Sequence, residues 1–156
     1  MIEDFYSTFA TVSLTVTGLW MYVAQARFRE WLADRDHFRR ASAVSVQLAF
    51  PGIMSLFALI DPASTTLWRA VFGVTSVVAA LLLVALNRRS TGGWAAVNAV
   101  GNWIAVAIFA GVAAIAIAPE MVDVPRRVEF FLFCLLLVDG LIVAWTMLFT
   151  EAQETA

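Results

Sequence analysis

Lysine is absent, and all ten basic residues are arginine. A Schiff-base lysine, a phosphate-loop lysine and a lysine nucleophile are thereby excluded, since each needs a side-chain amine. The single cysteine, Cys134, leaves no disulfide within the chain, and the single histidine, His37, cannot build a metal site alone. Charge is scarce as well: 14% of residues are charged, against about 25% in an ordinary soluble domain. No phosphate loop, paired-cysteine motif, His-Glu-x-x-His run or Ser-His-Asp set occurs. Arginines do not recur every third residue within an apolar run, which speaks against a voltage sensor. The expectation is a protein that is not an enzyme, holds no metal or cofactor, and has no nucleic-acid partner.

What the chain has is apolar length. Of its 156 residues 62% are apolar, too many for a soluble fold of this size to cover with polar surface. Five stretches approach or exceed the roughly 20 apolar residues that cross a hydrocarbon core about 30 Å thick. They run over residues 5–26, 41–60, 67–87, 95–118 and 128–149. Backbone groups in lipid must be satisfied within their own segment, so each is expected to be a helix. The links are short, and none could hold a separate domain. The fold class expected is therefore all-α: a single transmembrane domain over residues 1–156, a polytopic bundle of five helices. The start, Met1-Ile2-Glu3-Asp4, lacks a basic region, so the first run is expected to be retained rather than cleaved.

Orientation follows from arginine in the short loops. Arg27, Arg29, Arg35, Arg39 and Arg40 lie in the first loop and Arg88 and Arg89 in the third. Opposite them are Arg69 near the second and Arg126 and Arg127 in the fourth. Seven against three places the N-terminus outside and the C-terminus inside the cytoplasmic membrane. Trp31, Trp68, Trp94 and Trp145 fall near the expected interfaces. The first loop, Arg27 to Arg40, mixes aromatics with arginines and acids, which suits a helix lying along the headgroups as a basic membrane-surface anchor.

The candidate site centres on Asp139, at the middle of the last run. An ionised Asp there costs roughly 2.5–3.5 kcal/mol on insertion scales, outweighed by fourteen Leu, Ile, Phe and Val residues at roughly −0.3 to −0.6 kcal/mol each when central. No arginine lies in the core of any run to pair with it. A protonated, solvated or cation-bound carboxyl is one reading, and a helix-to-helix hydrogen-bond tie is the other.

At 100° per residue, Asp4, Ser7, Thr8, Thr11, Thr15, Gly18, Tyr22 and Gln25 share one arc of about 100° on the first helix, leaving Ser13 and Thr17 outside it. Such a stripe suits a water-lined path and equally suits close helix packing. Gln47 lies one turn before Pro51-Gly52, a kink or gate candidate, and Asn98 and Asn102 share a face of the fourth helix. With the proposed topology, Thr15, Gln47, Thr75, Ser76, Asn102 and Asp139 lie at similar depth. Small residues recur on the fourth helix as Ala107-Gly111 and Ala110-Ala114-Ala118.

The function expected from this layer is a membrane pore or ion-translocating protein, homo-oligomeric, passing a small inorganic cation or a proton. Asp139, Thr15, Thr11, Asn102, Asn98 and Gln47 would line it. The alternative is a non-transporting membrane subunit that scaffolds or regulates a larger complex.

Overall fold

The computed structural model describes residues 2–87, 93–122 and 124–154, and nearly all of them are helical. The order is α1 (Ile2–Ala26), the short α2 (Phe28–Ala33), α3 (Arg35–Ala58), α4 (Thr65–Asn87), α5 (Gly93–Ile117), a single 3-10 turn (Pro119–Met121) and α6 (Pro125–Glu154). Five long helices thus stand where five apolar runs were read. Arg88, Arg89 and Gly92 lie outside the described residues.

Two boundaries differ from the reading of the runs, each for a local reason. The arginine-rich stretch between the first two runs is helical, not an open loop. The chain breaks at Arg27, turns through the six residues of α2, and straightens at Asp34, whose carboxylate accepts from the Asp36 N–H at 2.8 Å and caps α3. Arg35, Arg39 and Arg40 therefore sit on the first turns of α3. The last helix starts at Pro125 rather than Val128, because proline lacks the N–H that a first helical turn leaves unused.

Among the described residues, four helices are long and apolar enough to cross a membrane: α3, α4, α5 and α6. The 25-residue α1 is as long, about 37 Å at 1.5 Å per residue, but its six serines and threonines dilute its apolar character. Those hydroxyls are largely bonded at home. Thr11 donates to the Ser7 carbonyl (2.9 Å), Thr15 to Thr11 (2.7 Å) and Thr17 to Ser13 (2.7 Å), which lowers the cost of placing them among apolar neighbours. The helix packs lengthwise on α3, from Ser13 against Gly52 to Trp20 against Ala41, and so completes the bundle.

Short links make successive helices neighbours, and α3 lies at the centre, touching α1, α4, α5 and α6. Around the start of α1 and α6 the core is aromatic: Phe133 lies 5.5 Å from both Phe9 and Phe72, with Phe109, Met54 and Leu136 fully buried beside them. A smaller core at the arginine-rich end joins Trp20, Trp31, Val44 and Met147. Trp31 stacks on Trp20 at 5.7 Å, and Trp68 is also buried, so two of the expected interface tryptophans face the bundle instead.

Glycine sets the closest approaches. A Cβ on Gly52 would stand 2.8 Å from Ser13 Oγ, one on Gly140 2.9 Å from Leu48 Cδ2, and one on Gly101 2.5 Å from Val143 Cγ2. These three positions fix α1 on α3, α6 on α3, and α5 on α6. The end of α5 is closed by Arg69 of α4, whose guanidinium donates to the Ala116 and Ile117 carbonyls at 3.0 and 2.5 Å.

Candidate functional site

Two of the polar residues read as a layer meet between α3 and α5, and a third stands alongside on α6. Gln47 Nε2 donates to Asn102 Oδ1 at 2.9 Å, both side chains being buried. Asp139 approaches from α6: its Oδ1 is 3.5 Å from the point where a Gly101 Cβ would be, and Gln47 Oε1 is 3.4 Å from the same point on Gly140. Glycines at 101 and 140, each next in sequence to a member of the cluster, let the three helices close tightly enough to enclose it.

The cluster has acceptors to spare. Asp139 Oδ2 and Gln47 Oε1 are buried with no hydrogen-bond partner, and no basic side chain among the described residues forms an ion pair with Asp139. Unpaired acceptors in a dry interior are expensive. A site that takes up a cation or proton would satisfy them.

Buried polar atoms continue from this cluster towards the arginine-rich end. A cavity of about 10 Å³, about one water in size, is lined by Asn102, Asn87, Arg40, Arg39 and Asp36 among others. Asn87 Oδ1 and Arg40 Nε are themselves buried without partners. Arg39 reaches Asp36 at 3.8 Å, a weak, partly exposed pair.

The other expected site residues lie elsewhere. The hydroxyl stripe of α1 is on the outer surface: Ser7, Thr8, Thr11, Thr15 and Gly18 are exposed, and Thr11 and Thr15 share no site with Asp139 within one chain. Ser13, left out of that stripe, is the buried one, donating to the Leu48 carbonyl at 2.5 Å. Pro51 and Gly52 are buried where α1 crosses α3, and α3 stays helical through them. Thr75 is half-buried, and Ser76 is buried with its hydroxyl unpartnered. The side chains of Asn98 and Trp94 lie outside the described residues. On α5, Ala107, Ala110 and Ala114 are exposed, so the tight face of that helix is the Gly101, Ala105, Phe109 and Val112 face instead. Cys134 is exposed on α6.

At the arginine-rich end, α1, α2 and α3 enclose a cleft of about 700 Å³. Met21, Phe28 and Phe38 give it an apolar wall, and Arg29, Ser42 and Ser45 a polar rim. Arg29 belongs to this cleft rather than to the polar cluster.

One buried carboxyl was missed by reading the sequence. Glu129 of α6 is wholly removed from solvent, and its Oε2 accepts the Trp68 indole N–H at 2.8 Å. The Tyr6 hydroxyl lies close to both and is buried without a partner, as is Glu129 Oε1. Arg126, one turn earlier, stands 5.8 Å from the Trp68 ring centre. The signal was Pro125: starting the last helix there moves Glu129 a full turn inside, where a start at Val128 leaves it at the membrane surface.

No family model matches the chain, and neither a curated protein nor a solved structure resembles it.

Proposed function

We propose that this protein moves a small cation or a proton across the cytoplasmic membrane, with Asp139 as the group that accepts it. The observation carrying the reading is the cluster of Asp139, Gln47 and Asn102, with two unpartnered acceptor oxygens enclosed by three helices. A tie that existed only to hold helices together would leave fewer of its own lone pairs unmet. The line of buried polar atoms through Asn87 and Arg40 supports an approach from the arginine-rich end. By the loop arginines, that end is cytoplasmic, with the N-terminus outside and the C-terminus inside.

The chain would work as a homo-oligomer. Thr11 and Thr15 stand on its outer surface in a strip of small and hydroxyl residues that ends at Gly18, where an added Cβ would meet open space. Small and hydroxyl residues are what membrane helices bring to contacts with one another. The same strip favours a second reading, a non-transporting subunit that offers α1 to a foreign membrane helix.

Flux in proteoliposomes tests the first reading. Asp139→Asn keeps the size of the side chain and removes its charge, and ion and proton flux should be lost. Unchanged flux would sink the assignment. Purification from native membrane separates the two readings: self-assembly in a defined stoichiometry supports the first, and a stoichiometric foreign partner the second.

A further inference from the structure

We infer that Glu129, Tyr6 and Trp68 form a second protonation site at the opposite end of the bundle from the arginine-rich loop, and that the ion accepted by Asp139 is therefore a proton. The second clause rests on the translocation reading above; the first stands on its own geometry.

Glu129 has 0% exposure and only one partner. The groups that face it are few. From α1 comes Tyr6 and from α4 Trp68, while Arg126 on its own helix stands over the Trp68 ring and makes no ion pair with the carboxyl. α3 and α5 bring apolar residues to this core, among them Met54, Ala58, Ile115 and Ala116. Arg69, the single basic side chain of α4, is spent on the last carbonyls of α5.

A carboxylate taken fully out of water without an ion-pair partner is far costlier than one N–H donor can offset. The same group carrying a proton needs only ordinary hydrogen bonds. Trp68 already donates to Oε2, so the proton belongs on Oε1, the oxygen with no donor. The Tyr6 hydroxyl of α1 stands nearby, buried and not bonded to the carboxyl.

The spacing along α6 gives this site its meaning. Glu129 and Asp139 are ten residues apart, about 15 Å along the axis. Between them on the buried side are Phe133 and Leu136, both fully buried, with Phe9 and Phe72 against Phe133. A proton passes directly only between groups within hydrogen-bond reach, so the two carboxyls do not exchange in this conformation. One helix thus bears two acid groups, Glu129 near the end away from the arginine-rich loop and Asp139 near the middle, with an aromatic barrier between. A metal cation would need a set of several oxygen ligands at Glu129, and beyond the Tyr6 hydroxyl the surrounding Phe, Trp and Met side chains supply none.

Infrared spectroscopy of the full chain in lipid bilayers is the test. In the Asp139→Asn variant at neutral pH, the carbonyl stretch of a protonated carboxyl should remain, because exposed acids are ionised there. It should vanish in Asp139→Asn combined with Glu129→Gln, and shift in frequency in Asp139→Asn combined with Tyr6→Phe. Absence of that band from the Asp139→Asn variant would overturn the site, whatever the flux measurements give. In proteoliposomes Glu129→Gln alone should lose proton flux, and retained alkali-cation flux in that variant would overturn the assignment of the ion while leaving the site standing. Glu129→Gln still offers an oxygen to Trp68, so loss of folding is not expected to obscure either result.

Discussion

Trp68 of α4 donates its indole N–H to Glu129 of α6, at 2.8 Å, with both side chains buried. This is a specific polar bond inside an otherwise aromatic core, and it links two helices that pack mainly on α3 and α5 rather than on each other. Trp68→Phe keeps most of the ring and deletes the donor, leaving both oxygens of Glu129 unmet. The expected loss is about 1–3 kcal/mol, measured by unfolding in mixed micelles. Trp68→Phe combined with Glu129→Leu should recover part of it, since both polar partners are then gone.

Gly101 controls the approach of α5 to α6 beside Asp139. Gly101→Ala would place its methyl 2.5 Å from Val143 Cγ2, on a stiff β-branched side chain that cannot swing away cheaply. A loss of about 1–3 kcal/mol from overpacking is expected. Val143→Ala should restore most of it in the double variant. If Gly101→Ala is neutral by itself, the α5–α6 contact is looser than described.

The Gln47–Asn102 bond ties α3 to α5 at the polar cluster. Bonds of this kind between membrane helices contribute about 0.6 kcal/mol on average and up to about 1.7. Gln47→Leu should therefore weaken the fold modestly, and a double-mutant cycle with Asn102→Leu should return a coupling in that range. A coupling near zero would separate the two side chains.

The corner between α2 and α3 should respond to acid. Asp34 is held below the usual carboxylate range, chiefly by the hydrogen bond with His37 Nδ1 at 2.5 Å and then by the Asp36 N–H. A carboxyl lowered by folding contributes stability above its unfolded value, near 3.9, and that contribution disappears as pH falls through its folded value. Asp34 is exposed, so solvent screening keeps the effect local. Hydrogen exchange at the first turn of α3 should quicken below about pH 4, and Asp34→Asn should keep the cap while removing this pH dependence. Asp34→Ala should quicken exchange at every pH, by the loss of a cap contributing about 1 kcal/mol.

Much of the fold was legible in the residue order. Apolar runs longer than 20 residues dictate spanning helices, because a backbone in lipid has no other way to satisfy its polar groups. Pro125 and Asp34 carried the information about where helices start, although the runs alone placed those starts three and six residues later. That Gln47 and Asn102 stand level with one another was legible too, since it depends on counting residues along each helix.

What the residue order did not carry is facing. In water an amphipathic pattern tells the buried side of a helix from the exposed side, but against lipid both sides are apolar and the contrast fades. Thr11 and Thr15 satisfy their hydroxyls on their own backbone and so can stand outside, while Ser13 turns in to meet the Leu48 carbonyl behind Pro51. Glu129 illustrates the same limit: its burial depends on Tyr6 and Trp68, contributed by two other helices. The sequence by itself determined that this chain is a membrane bundle of five long helices. The tertiary structure decided which polar groups meet, because that depends on helix rotation and on three glycines that let backbones touch.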